Sequence, residues 1–274
     1  MRIIGHRGAS ATAPENTLAA VRQALNAGVG FEVDLHLLRD GTLIILHDET
    51  LERTARHDAA PTYRALVRTP ITTLRWADLS DVDVGSWFGA EYRCEKPPLF
   101  SDVLRELRRA AAVPGNTNAH CFAELICARP HDPKLPGIAA AAVAEMQVPP
   151  ERLTWISFSL PLLIEMKAIC PQHKAFYIAD AGTSGAAWRA ARASVAARLD
   201  GVDLRACPDA VTPELCSWMH ARGKQVAVWV SKYPAKEDTP EVWGALEDSG
   251  VDWFTSNLPP DLMTWCKARQ RAPE

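Results

Sequence analysis

From Pro98 onward the chain alternates between short apolar runs and amphipathic ones, and this constrains the fold more than any other feature. The runs Cys121 to Cys127, Leu153 to Phe158, Ala175 to Ile178, Gly201 to Leu204, Gln225 to Val230 and Val251 to Thr255 read as buried strands. Between them, Ile138 to Met146, Pro161 to Cys170, Ala186 to Ala197, Pro213 to Arg222 and Pro240 to Glu247 read as helices. Ser101 to Ala112 precedes them with Ser101 as the expected N-cap, and Pro260 to Ala268 closes the series. Regular β-then-α alternation requires a parallel sheet. With two more strands near the start, eight βα units predict a single TIM (β/α)8 barrel over residues 1–274. An open doubly wound sheet is the alternative, but no GxGxxG follows the first strand, which argues against a dinucleotide fold.

The chain has 274 residues, 47% of them hydrophobic, which is ample for one large core. Its net charge of −3 gives nothing to attract nucleic acid or an anionic membrane, so no nucleic-acid partner is expected. The seven cysteines, Cys94, Cys121, Cys127, Cys170, Cys207, Cys216 and Cys266, are odd in number and contain no CxxC. That predicts free thiols in a reducing, cytoplasmic setting. Arg2 runs directly into a strand, so no secretory signal is expected. The most apolar stretch, Gly137 to Met146, is too short to span a bilayer. Oligomeric state has no signature here.

The first 54 residues carry the chemistry. A strand from Arg2 to Gly5 ends in His6-Arg7-Gly8, where Gly8 would allow close approach to a ligand. Pro14-Glu15-Asn16-Thr17 opens a helix stopped at Gly28 and Gly30. The next strand, Phe31 to Leu37, places Glu32 and Asp34 on one face. Two carboxylates side by side on a buried strand are tolerated when a cation binds between them. Asp40-Gly41 predicts a two-residue hairpin turn, both residues at positive φ. On that register Asp34 pairs with His47, and Glu32 with Glu49. Glu124, flanked by Phe122, Leu125 and Ile126, is a carboxylate inside an apolar strand, a departure expected at a functional site. Three carboxylates suit a hard divalent ion, Mg²⁺ or Ca²⁺.

The ordered pieces HRG, PENT, E-x-D, DG and HDETLERT resemble the glycerophosphodiester phosphodiesterases, densely over residues 1–54 and again through DVGSWFG and PPLFSDVL. The resemblance implies metal-dependent hydrolysis of a small-molecule glycerophosphodiester to glycerol 3-phosphate and an alcohol. It makes Glu32, Asp34 and Glu124 metal ligands, His6 and His47 an acid–base pair, and Arg7 a phosphate contact. Asp48 to Pro98 becomes a small cap anchored by Trp87 and Phe88. Asn16 matches a position near the metal, though Asn16 or Thr17 equally serves as a helix cap. Ser157, Phe158 and Trp229 match substrate-pocket positions, and barrel packing explains them as well. Asp48 is placed to orient His47. His36, His57, His120, His131, His173 and His220 fit no motif and read as structural, and Asn257, where relatives more often carry Asp, is given no role.

One departure stands out. The family usually carries Glu-x-Lys where this chain has Glu124-Leu125-Ile126, and Arg129 is the next cation. Ile126 therefore removes a charge that helps bind phosphate. Two rival readings follow: a lysophospholipase D-like enzyme with an apolar mouth, and a catalytically weak protein that keeps the metal site for binding.

Overall fold

The computed structural model describes residues 1–56, 61–126, 132–231 and 235–271. In chain order its elements begin with β1 (Arg2–Gly5), α1 (Leu18–Asn26), β2 (Gly30–Leu37), β3 (Leu43–Ile45), α2 (Pro61–Val67), α3 (Trp76–Leu79) and α4 (Phe100–Ala111). They continue with β4 (Cys121–Leu125), α5 (Leu135–Glu145), β5 (Leu153–Ser157), α6 (Leu160–Ile169), β6 (Lys174–Ala179) and α7 (Ser184–Ala196). The last are β7 (Gly201–Arg205), α8 (Pro213–His220), β8 (Gln225–Trp229), α9 (Pro240–Asp248), β9 (Trp253–Ser256) and α10 (Pro259–Arg271). Helix starts follow local chemistry: Thr17, Ser159, Thr183 and Thr212 each accept a backbone N–H through the side-chain oxygen. Proline stands in the first turn of α6, α8 and α9, where its missing N–H does no harm.

The strands run β1-β9-β8-β7-β6-β5-β4-β2, all parallel, and β1 pairs β2 to close the ring. The eight-stranded barrel read from the alternation is therefore what the chain forms, with β3 as an antiparallel extra on β2. Its core has three parts. Outward strand residues and the helices share the largest cluster, which includes Phe31, Val33, Leu35, Phe100, Trp155 and Phe254. Inside the ring, Ile4, Phe122, Ile156, Phe176, Ile178, Ala227 and Trp253 fill the lumen, so the barrel is packed and not a pore. A third cluster, with Ile44, Leu51, Val67, Ile71 and Leu79, lies under the segment after β3.

Two local expectations fail. Helix α4 begins at Phe100, and its N-cap Leu99 has no side-chain bond, so Ser101 lies inside the first turn and is not the cap. Gly8, at φ 81, also serves packing, since a Cβ there would sit 2.6 Å from the Ala20 carbonyl carbon of helix α1. The hairpin register is off by one, because Leu35 pairs with Ile45, His36 with Ile44 and Leu37 with Leu43. The cause is the turn. The Gly41 N–H donates to the Leu38 carbonyl and the Leu38 N–H to the Thr42 carbonyl, and among residues 39–41 only Gly41 has positive φ. That is a three-residue loop, a type I turn closed by a left-handed glycine, and it shifts every cross-strand partner by one. Asp34 thus stands across from Leu46, whose N–H it accepts, and not from His47. Of the residues singled out in the sequence, His57, Cys127, Arg129 and His131 lie outside the described residues.

Candidate active site

On the inner face of the barrel, apolar side chains give way to acids toward the C-terminal ends of the strands, where barrel active sites lie. Glu32 and Asp34 come from β2 and Glu124 from β4, and register sets Asp34 directly beside Glu124. One ligand oxygen from each lies within 4.8 Å of the others. Burial, then the neighbouring carboxylates, push Glu32 and Glu124 well above the ordinary carboxylate range. Glu32 Oε1 is buried with no hydrogen-bond partner. Such a set of crowded acids is costly unless a cation or protons neutralise it.

The loop after β1 wraps this triad. Arg7 and Asn16 both adopt left-handed backbone, at φ 55 and 56, which side-chain-bearing residues adopt mainly when surrounding contacts enforce it. Here the Arg7 N–H donates to Glu32 Oε2 at 2.7 Å, and Asn16 Nδ2 donates to Asp34 Oδ2 at 2.6 Å. Of the two cap candidates, Thr17 is the one that caps α1, and Asn16 is turned onto Asp34. The buried Arg7 guanidinium reaches Glu15 at 2.7 Å and approaches Asp34 at 3.6 Å. Arg53 grips Glu15 with two nitrogens and also binds Asp48. Burial pushes Glu15 up, but Arg53 and Arg7 outweigh it and bring it down to about 2.

The two imidazoles are wired differently. His6 is buried, and its Nδ1 lies 2.8 Å from Asn257 Oδ1. Asn257 Nδ2 donates to the Ser231 carbonyl, which fixes the amide so that its oxygen faces His6. His6 Nδ1 therefore donates, and Nε2 carries the free lone pair in the neutral ring. Burial, followed by the Arg7 charge, lowers His6 to about 4. His47 lies past the end of β3, where the ladder has stopped and the chain bends, so the shifted register does not carry it away. Its Nδ1 lies 2.7 Å from Asp48 Oδ1, a carboxylate itself held by Arg53.

One cavity of about 200 Å³ is lined by His6, Arg7, Glu32, Asp34, His47 and Glu124, together with Phe158 and Trp229. The residues read from the sequence as acid–base pair, metal ligands and phosphate contact thus border a single space with Phe158 and Trp229. Phe158 packs edge-on against Trp229, centroids 5.9 Å apart, and is 47% exposed at the mouth. Ser157 turns away to the Leu125 carbonyl and lines a neighbouring groove with Ile126, His47 and Phe158. Trp87 and Phe88 border a third cavity with His6, Arg7, Glu15 and Asn257, which sets the segment after β3 against the site.

The profile of the Glycerophosphoryl diester phosphodiesterase family matches residues 6–260. The chain belongs to this family. Among relatives, a glycerophosphodiester phosphodiesterase of Caldanaerobacter subterraneus is 32% identical over 103 residues, 37% of this chain and 38% of that protein. The human glycerophosphodiester phosphodiesterase domain-containing protein 5 is 38% identical over 87 residues, 31% of this chain and 14% of that protein. The matches thus span well under half of these curated relatives. A solved Oleispira antarctica phosphodiesterase in complex with sn-glycerol-3-phosphate superposes with a TM-score of 0.75 at 24% identity, covering 97% of each chain. An Agrobacterium tumefaciens glycerophosphodiester phosphodiesterase gives 0.71 at 24% identity, covering 96% of this chain and 98% of that one. At such identity the likeness speaks for the fold.

Within this family frame, three residues stand in the site that the sequence reading passed over. Asn257, given no role, fixes the ring of His6. Glu15, quoted only as part of PENT, joins Arg7 to Arg53. Asp203 on β7 lines the cavity, fully buried, and burial alone raises it to about 8. A lone acid between Val202 and Leu204 was the same signal that singled out Glu124. His36 meets the His47 carbonyl, His120 the Glu151 carbonyl and Thr154, and His220 Asp252, and none of the three borders the cavity.

Proposed function

We propose that this chain hydrolyses glycerophosphodiesters to glycerol 3-phosphate and an alcohol. The observation that carries the reading is the meeting, in one small cavity, of three crowded carboxylates, a buried arginine and two imidazoles with different partners. The donor set fits a hard divalent ion: all ligands are carboxylate oxygens, and the buried Glu32 Oε1 has no hydrogen-bond partner. Glu32, Asp34 and Glu124 would hold Mg²⁺ or Ca²⁺, which supplies charge neutralisation of the phosphate and activation of an oxygen nucleophile.

The protein's own groups divide the rest. Arg7 sits against the triad with its backbone locked, so its charge is aimed before the phosphate arrives. His6 is neutral near pH 7, with Nε2 bare, and suits the role of base toward the attacking hydroxyl or water. His47 has the Asp48 carboxylate on Nδ1, which orients the ring, and suits the role of acid toward the leaving alkoxide. We read residues 48–98 as a cap belonging to the same domain, since Trp87 and Phe88 meet His6 and Arg7 across one cavity. The six described cysteines are free thiols, which suits the cytoplasm. Among the described residues no helix is long and apolar enough to cross a membrane.

The test compares wild type with His6→Ala and His47→Ala on glycerophosphocholine and on a diester with a p-nitrophenolate leaving group, products followed by phosphorus NMR. Loss of the base should slow both substrates. Loss of the acid should slow glycerophosphocholine far more, because p-nitrophenolate leaves without a proton. Wild-type protein that releases no glycerol 3-phosphate would overturn the reading. Hydrolysis confined to lysophospholipids would favour the lipid-directed rival.

A further inference from the structure

His6 can act as a base through Nε2 only while Nδ1 holds the proton, and Asn257 is the residue that decides this. An Asp at 257 would accept from the ring in either orientation. An Asn offers an oxygen one way round and an N–H the other, so something must choose. The stretch that leads into α9 makes the choice. The Glu237 carboxylate accepts the Ser231 N–H at 3.0 Å and is itself approached by Arg205 at 3.5 Å. The Ser231 carbonyl accepts from Asn257 Nδ2 at 2.8 Å, which leaves Oδ1 toward His6. The next residue, Asp238, is buried and takes the other end of Asn257. Its Oδ2 accepts the Asn257 N–H at 2.8 Å. Ser256 Oγ lies 2.9 and 3.0 Å from the two carboxylate oxygens, and Trp243 Nε1 donates to Oδ1 at 2.9 Å. Ser256 Oγ in turn accepts the Leu258 N–H at 2.9 Å, so the chain leaving β9 is tied at three successive residues. The His6 N–H donates to the Ser256 carbonyl, which joins the backbone of the imidazole to the same segment.

We propose that Glu237 and Asp238 form a two-point clamp that sets Asn257 and thereby holds His6 in its Nδ1–H tautomer. They are positioning residues: neither lines the catalytic cavity, and both act through Asn257. The inference rests on the reading of His6 as the base and adds the residues that keep it competent. The two acids divide the task. Asp238 fixes the main chain of residue 257, and Glu237, through Ser231, fixes which way its amide faces. Both are needed, because an amide can turn about its own side-chain bonds while the backbone stays in place. Anchoring α9 to itself would require only the bond between Asp238 and Trp243, five residues apart. The bonds to Ser256 and Asn257 instead reach 18 and 19 residues along the chain, to the segment that faces His6. A buried carboxylate makes these bonds charge-assisted, hence shorter and stiffer than neutral ones.

The test reads the tautomer of His6 directly, by long-range proton–nitrogen NMR correlation on protein carrying nitrogen-15 histidine, at pH 8 with magnesium present. The His6 signals are assigned by their absence in His6→Gln. Wild type should show Nδ1 protonated and Nε2 bare. Asp238→Asn keeps the size but turns an amino group toward some of the donors that the carboxylate accepts, and it should populate the Nε2–H form. Its kcat on glycerophosphocholine should fall by about tenfold to a hundredfold while KM moves less than about twofold, since a general base contributes on the order of 10²–10⁴ in rate. Glu237→Ala should shift the tautomer the same way and serves if Asp238→Asn melts early. Glu237→Gln keeps an acceptor for the Ser231 N–H and should restore the wild-type spectrum. His6 found as Nε2–H in wild type overturns the proposal. So does an Nδ1–H form that persists in both Asp238→Asn and Glu237→Ala, which would make the two acids anchors of α9 alone. A shifted tautomer with kcat unmoved would cut the link to catalysis and overturn it too. Wild-type protein that hydrolyses no diester would strike the activity reading, and the spectra would still decide the clamp.

Discussion

Replacing Glu124 by Gln should stabilise the metal-free protein and weaken its stabilisation by metal. In the metal-free protein the triad oxygens lie no more than 4.8 Å apart. Two unit charges at that distance repel by about 3.5 kcal/mol at an effective dielectric of about 20. Burial and this repulsion hold Glu32 and Glu124 well above the usual 4.5. A carboxyl raised in the folded state contributes its stability below its unfolded value and loses it as pH rises toward the folded one. Metal-free wild type should therefore melt progressively lower between pH 5 and pH 8. Glu124→Gln keeps the shape, removes one charge and should melt higher at pH 8. At about 2–4 °C per kcal/mol for a chain of this size, the gain should be roughly 7–14 °C. With millimolar magnesium the gap should narrow. A site at 100 times its dissociation constant adds about 2.7 kcal/mol, and the variant should lose most of it. The assay is differential scanning calorimetry of both proteins at pH 5, 7 and 8, with chelator and with metal. An undiminished metal-induced shift in the variant removes Glu124 from the ligand set. A metal-free variant that melts below wild type at pH 8 refutes the repulsion on which the reasoning stands.

Asn257→Asp would place a carboxylate on His6 Nδ1, favour the imidazolium and move His6 upward from about 4. The acid limb of the kcat/KM profile should shift to higher pH, and an unmoved limb would separate His6 from the titrating base. Arg53→Gln should break the Asp48–Arg53–Glu15 chain. It should lower kcat through His47 and cost about 1–3 kcal/mol in a chemical melt, since Glu15 loses a charged partner. Ile126→Lys tests the missing cation: its ammonium would reach the groove shared with His47 and Glu124. A gain of roughly tenfold in kcat/KM on glycerophosphocholine is expected if phosphate binding is limiting. A loss on both soluble diesters and lysophospholipids at an unchanged melt would show that Ile126 is itself required.

What the sequence revealed depended on the range of the interaction. The barrel was legible because alternation of strand and helix is periodic and local, and Ser or Thr before Pro marked several helix starts. The residues lining the site were legible because Glu32, Asp34 and Glu124 break an apolar pattern. The hairpin register was not: Asp40-Gly41 fits a two-residue and a three-residue loop alike, and only the backbone bond from Leu38 to Thr42 decides. His47 reached the cavity although the stated reason was wrong, since it lies beyond the ladder. Asn257 stayed hidden because its partner is 251 residues away, and Glu15 because its two arginines come from different loops. Asp203 had the same signature as Glu124 and was missed for want of a motif around it.

The most direct measurement is phosphorus NMR of glycerophosphocholine incubated with the purified protein, first with chelator and then with magnesium or calcium restored. The account predicts no turnover in chelator and stoichiometric appearance of glycerol 3-phosphate once metal returns. Equal turnover with and without chelator would contradict the metal-centred site, and no turnover under either condition would contradict the proposed activity.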